Sequence, residues 1–197
     1  IRTSVFFKGC PLRCSWCHNP EGLLEEPETI FRERIIDGCH KKVPQTAGKW
    51  MLAAEVMHEI EKDLLFYEES GGGVTFTGGE PGMQPEFLLG LLTLCRIRGI
   101  HSAIDTSGHV PQDVFFQLAE ACDMILFDVK CADPLLHKKH TGTDNKTIIS
   151  NLLSLNKLKT VIMIRIPLIG GFNDTLSEMQ AIAGLLKEVR TGIAGIS

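Results

Sequence analysis

The feature that most constrains this chain is a regular alternation of short β-rich runs with longer amphipathic stretches. Residues 3–8 read as a strand. Residues 51–67 read as a helix, with Val56, Met57, Ile60 and Leu64 at helical spacing. Ser70 and three glycines break it, and 74–77 is a short strand. The rhythm continues with helices over 85–98, 111–121, 145–158 and 175–190, alternating with strands over 101–105, 124–129 and 161–168, and a sixth strand opens at 193. Such repetition predicts an α/β fold, a parallel sheet covered by helices. The nearly unbroken apolar run over 124–129 suits a strand buried on both faces. Periodicity leaves open a doubly wound sheet or part of a barrel. In both, function collects at the C-terminal ends of the strands.

Residues 18–50 interrupt the rhythm. They are polar and proline-interrupted, with no firm period, and read as a long insertion or loop region within a single domain over 1–197. The chain opens at Ile1 and stops at Gly-Ile-Ser within a fresh strand, so both ends read as cut from a longer protein.

Composition serves to exclude. The 197 residues are 44% hydrophobic and 22% charged, ordinary for a soluble domain with a sizeable core. A net charge of −4 argues against a nucleic-acid partner, which asks for a basic face. No run reaches the ~18 apolar residues of a membrane span, and no signal peptide is visible. Seven cysteines, three of them crowded together, do not form a disulfide framework, which points to the reducing cytoplasm.

The crowded three are Cys10, Cys14 and Cys17, within Gly-Cys-Pro-Leu-Arg-Cys-Ser-Trp-Cys-His directly after the first strand. Three thiolates can hold three irons of a cubane and leave the fourth iron open to a substrate. The alternative is a structural zinc site completed by His18 or His40. After the second strand comes Gly78-Gly79-Glu80-Pro81, whose glycines let backbone approach a ligand. Asp105 ends the third strand, Asp128 and then Lys130 the fourth, and Arg165 lies in the otherwise apolar fifth, where a guanidinium must be paired.

Cys-x₃-Cys-x₂-Cys followed by Gly-Gly-Glu-Pro resembles the radical S-adenosylmethionine superfamily. Ile1 to Cys14, Cys17-His-Asn-Pro-Glu, Gly72 to Pro81, Asp105-Thr-Ser-Gly and Asp128-Val-Lys narrow the resemblance to glycyl-radical-enzyme activating enzymes over nearly the whole chain. The resemblance implies a partial (β/α)₆ barrel, one [4Fe–4S] cluster on Cys10, Cys14 and Cys17, and bound S-adenosylmethionine. Gly78, Gly79, Glu80, Lys130 and Arg165 would contact that cofactor, Glu80 through the methionine ammonium. Asp105, Asp128 and the Thr106 backbone oxygen would hold a monovalent cation. Trp16 and His18 would shield the cluster or contact adenine, and Asn173 and Asp174 would close the adenine side. His137 and His140 fall in the loop before Thr141-Gly142, His137 meeting the adenosine or serving structure alone.

The pattern is also broken. The ferredoxin-like insertion of many activating enzymes keeps only Cys39 and His40 here, so one cluster is expected rather than three. The Asp-Gly-Pro-Gly turn and the Leu-Pro-Tyr-His-like segment of the family are missing. The implied function is activation of a partner glycyl-radical enzyme, pyruvate formate-lyase being one such partner, by a monomer served by a flavodoxin-like donor. The competing functions are radical chemistry on a small molecule or another peptide, and a zinc-stabilised interaction protein without catalysis.

Overall fold

A computed structural model describes residues 1–189 and 193–194. Its elements are β1 (Arg2–Phe7), β2 (Glu28–Ile36), β3 (Cys39–Ala47), α1 (Ala53–Glu61), α2 (Leu64–Ser70), β4 (Gly73–Gly78), α3 (Pro85–Ile97), β5 (Ser102–Thr106), α4 (Gln112–Ala121), β6 (Met124–Asp128), α5 (Pro134–Thr141), α6 (Lys146–Ser154), β7 (Val161–Arg165), α7 (Leu176–Leu186) and β8 (Ile193–Ala194). The rest of the expected sixth strand, 195–197, lies outside the described residues.

Six strands pair in the order β1-β4-β5-β6-β7-β8, every pair parallel. This order decides what periodicity left open. A doubly wound sheet reverses its order at a switch point. Here each strand lies beside the next one in sequence, so right-handed crossovers put the helices on one face. Helices α1, α3, α4 and α6 pack there side by side. The result is part of a (β/α) barrel with β1 and β8 at its two edges.

One apolar core lies between sheet and helices. Val74, Phe76, Ile104, Ile125 and Ile164 meet Leu88, Leu91, Leu92, Leu118 and Leu152. Phe7 packs edge-on to Phe76 at 6.1 Å, and Phe115 to Phe127 at 5.8 Å. The expected helix over 51–67 is two, broken at Lys62 and Asp63. The Asp63 carboxylate accepts from Thr3 on β1, and its backbone oxygen starts α2 by accepting from Phe66 and Tyr67. Gly71 ends α2 with φ 62°, a left-handed cap that glycine adopts without strain.

The insertion is not a structureless loop. Antiparallel β2 and β3 form a ribbon from Glu28↔Ala47 to Ile36↔Cys39. Asp37 (φ 53°) and Gly38 (φ 74°) close it, both left-handed, as a two-residue hairpin turn requires. The ribbon meets the body through Lys8–Glu28 and Arg32–Glu21 ion pairs, both at 2.9 Å.

Candidate active site

The cysteine loop leaves β1 through Gly9, whose φ of 92° suits no side chain. Its first half hangs on residues 22–24. Gly9 N donates to Gly22 O (2.9 Å) and Leu24 O (3.1 Å), and Cys10 N to Leu23 O (3.2 Å). Its second half hangs on the end of α5, Arg13 N donating to Thr141 O (2.7 Å) and Ser15 N to His140 O (3.0 Å). Leu12 is buried between the two halves. The Trp16 ring lies 4.5 Å from Phe172, which lies 4.9 Å from His140, so an aromatic cluster holds the loop tip. Burial pushes the Cys10 thiol up to about 11 and also raises Cys14. Neither is the depressed thiol of a cysteine nucleophile. Both suit ligands that lose their protons to a bound metal.

Gly78 and Gly79 carry β4 against this loop. A Cβ on Gly78 would lie 2.4 Å from Phe7 O, and one on Gly79 2.3 Å from Gly9 O and 2.6 Å from Gly22 O. The close approach that demands glycine is to the backbone of β1 and the cysteine loop. Glu80 then turns inward. Only 1% exposed, it accepts from Thr106 Oγ1 (2.6 Å), Ser107 N (2.9 Å) and Ser107 Oγ (2.6 Å). Burial raises its pKa while these donors pull it down. Its carboxylate therefore braces the end of β5 rather than the cavity.

At the strand ends two acids meet two cations. Arg165 on β7 donates to Asp105 on β5 and to Asp128 on β6, the latter at 2.9 Å from Nε and 2.8 Å from Nη2. Lys130 Nζ lies 3.2 Å from the other Asp128 oxygen, and Thr77 Oγ1 donates to Asp105 at 3.0 Å. Arg165 is thus the paired guanidinium that an apolar strand demands, and it occupies the place between the carboxylates. Burial raises Asp105 against the pull of Arg165. Burial also works against the Lys130 cation, but Asp128 and the neighbouring acids more than reverse it, so its pKa is raised.

A cavity of about 460 Å³ opens between loop and strand ends, within the range of small-molecule sites. Cys10, Cys14, Trp16, Cys17, Gly78, Gly79, Asp105, Thr106, Asp128, Lys130 and Arg165 all line it. His18 lines it as well. Glu80 stands behind the wall, and His137, His140, Asn173 and Asp174 are also absent from the lining. Leu12, Asn19, Thr77, Ser107 and 167–169 complete the lining without having been singled out in the sequence. Thr77 and Ser107 each adjoin a motif residue, which is the signal that could have found them.

Two expectations need correction. His137 and His140 belong to α5, not to a loop. His137 is buried and absent from the cavity lining; its Nδ1 lies 2.7 Å from Thr143 O. Asn173 is equally buried and braces two loops, its Nδ2 donating to Lys130 O and Pro167 O and its Oδ1 accepting from Ile169 N.

The donor set favours a cluster over a zinc ion. Among the described residues no three His, Cys, Asp or Glu side chains converge on a single-ion position. In a cubane each thiolate binds a different iron, so three cysteines on one loop can hold it without meeting at a single point. His40 sits exposed on the ribbon.

A family model described as the radical SAM superfamily matches residues 4–186. The chain is 35% identical to the choline trimethylamine-lyase activating enzyme of Oleidesulfovibrio alaskensis, over 95% of this chain and 73% of that protein. It is 37% identical to the trans-4-hydroxy-L-proline dehydratase activating enzyme of Clostridioides difficile, over 95% and 75%. It is 35% identical to the pyruvate formate-lyase 2-activating enzyme of Escherichia coli, over 94% and 67%. Among solved structures, a domain of a pyruvate-formate lyase-activating enzyme from Bacteroides vulgatus superposes with a TM-score of 0.59 at 32% identity, covering 64% of this chain and 79% of that one.

Proposed function

The chain belongs to the radical SAM superfamily and, within it, to the activating enzymes of glycyl-radical enzymes, and we propose that its cavity is where this activation begins, with Cys10, Cys14 and Cys17 holding the [4Fe–4S] cluster and the strand ends holding S-adenosylmethionine. When bound, the reduced cluster supplies one electron to the cofactor's sulfonium, whose cleavage leaves methionine and a 5′-deoxyadenosyl radical. The residues of this chain bind and orient. Lys130 and Arg165 offer donors to the methionine carboxylate. Asp105, Asp128 and the Thr106 oxygen would take a monovalent cation where Arg165 turns to the cofactor. Glu80 fixes Thr106 and Ser107, which line the same wall. Trp16, on Phe172, covers the cluster side.

The observation that carries this reading is the meeting of three free cysteines with two acids and two bases around one cavity. The protein substrate is a glycyl-radical enzyme, whose glycine loses a hydrogen atom to the deoxyadenosyl radical. We place the reaction in the cytoplasm, with a monomeric activase and a flavodoxin-like donor; no helix among the described residues is long and apolar enough to cross a membrane. Reduced, reconstituted protein mixed with S-adenosylmethionine and glycyl-radical enzymes from the same genome is expected to give a glycine-centred doublet in electron paramagnetic resonance, together with 5′-deoxyadenosine. Deoxyadenosine without any doublet would favour a small molecule or another peptide as substrate, and neither product would sink the reading.

A further inference from the structure

The cysteine loop is only as well placed as what it hangs on, and half of it hangs on one helix end. The last carbonyls of a helix lack partners within it. In α5 two of these, Thr141 O and His140 O, accept from Arg13 N and Ser15 N respectively, the residues flanking Cys14. Helix α5 has only eight residues, a length marginal without tertiary support. Its start is tied by Asp133, whose side chain accepts from Leu135 N and Leu136 N. Its end is tied by a buried polar knot.

In the knot Thr143 O lies 2.7 Å from His137 Nδ1 and 3.1 Å from Thr141 Oγ1, which itself donates to His137 O at 2.9 Å. A carbonyl only accepts, so Nδ1 carries the proton and Nε2 does not. His137 is 1% exposed and Thr141 fully buried. Among the described residues its buried Nε2 has no protein partner, so the ring's hydrogen bonding is all at Nδ1, which also lies 2.9 Å from Thr141 Oγ1. What the residue supplies is the Nδ1 donor. It pins the chain just past α5 back onto the helix's final turn, across the left-handed Gly142.

We propose that His137 is a positioning residue for the cluster: its Nδ1 donor and Thr141 fix the end of α5 as the support for the Cys14 side of the cysteine loop. The inference rests on the activase reading and adds a residue with no contact to the cavity.

Asparagine and glutamine separate donor from bulk. The Asn amide nitrogen reaches the place of Nδ1, while the Gln amide nitrogen reaches that of Nε2. Full-length His137→Gln and His137→Asn would be compared with wild type in two assays. In hydrogen exchange before cluster loading, the Arg13 and Ser15 amides of His137→Gln should exchange about tenfold faster, the worth of one lost buried hydrogen bond. Gly9 and Cys10, which hang on residues 22–24, should not change. After anaerobic reconstitution, His137→Gln should release iron to a chelator faster, by a similar factor, and His137→Asn should match wild type in both assays. Equal behaviour of Gln and wild type would overturn the proposal, as would equal loss in Asn and Gln, or a rise in exchange spread evenly over the loop. If instead wild type itself took up no iron, the activase reading would fail first, and the exchange result would still decide the support of the loop.

Discussion

His137 stays neutral in the folded chain because burial penalises its cation, so its pKa lies below the ordinary 6.5. Between that lower value and 6.5 the unfolded chain takes up a proton that the folded chain refuses. The stabilisation is therefore complete above pH 6.5 and is lost as pH falls through the window, by up to about 1.4 kcal/mol per pH unit. Denaturant midpoints of wild type and His137→Asn, matched above pH 6.5, should separate below it, the wild type losing stability that the non-titrating variant keeps; a difference constant with pH would show that the residue does not titrate. Glu80 makes a second residue-scale prediction. Glu80→Gln sets an amide NH₂ against donors from Thr106 and Ser107, which should cost about 1–3 kcal/mol in urea unfolding. An unchanged midpoint would mean that the carboxylate braces nothing. The charged and thiol residues of the cavity were legible because their chemistry is rare in apolar strands and tight turns. Glu80 could be read as functional, but its direction could not, since a motif fixes spacing and not which side of a strand end the carboxylate faces. Ser107 and Thr77 lay inside the family motifs but were given no role, because a single hydroxyl beside a turn carries no chemical pattern of its own.

At the scale of elements, the parallel strands and most of their helices were readable from period alone, and the two failures have physical causes. Helix α5 buries His137 and Thr141, both polar, so it leaves no apolar stripe to detect. Its signs were at its ends: Asp133-Pro134, an N-cap followed by a first-turn proline, and Lys138, Lys139 and His140 before the left-handed Gly142. The ribbon β2–β3 was hidden because most of its described side chains are exposed and none is fully buried, leaving no clear inside-outside alternation. Its Asp37-Gly38 turn was the signal to weigh, and among the prolines that interrupt the region Pro44 is one that a hairpin edge tolerates. Because the ribbon touches the body mainly through two ion pairs, the barrel should fold without it. Glu28 and Ala47 face each other, so a short Gly-Ser linker can replace residues 28–47. The shortened protein is expected to unfold within about 1 kcal/mol of wild type, the scale of the part-exposed Lys8–Glu28 pair, and to bind iron equally. Loss of cooperative unfolding would mean that the ribbon belongs to the core.

For the whole molecule, the division of labour between sheet and loops sets what losing the cluster does. All three cysteines proposed as ligands sit on one loop after β1, whereas the apolar core lies between the sheet and its helices. A metal that joins distant strands makes folding depend on it, as in small zinc domains. A cluster on one loop ties that loop, and through Arg13, Ser15 and Trp16 the end of α5 and the segment after β7 that carries Phe172, while the strand ladders stand without it. Removing iron with a chelator should therefore leave far-ultraviolet circular dichroism and a cooperative thermal transition in place. The midpoint should fall by roughly 2–4 °C for each kcal/mol that ligation supplied. Amide protection should drop in residues 10–17 and at the end of α5, and persist in β4, β5 and β6. An apo-protein that lost its secondary structure outright would show that the sheet needs the cluster to close its core. The strand order could not then be credited, as it is here, to packing of Phe76, Ile104, Ile125 and Ile164 against the helices.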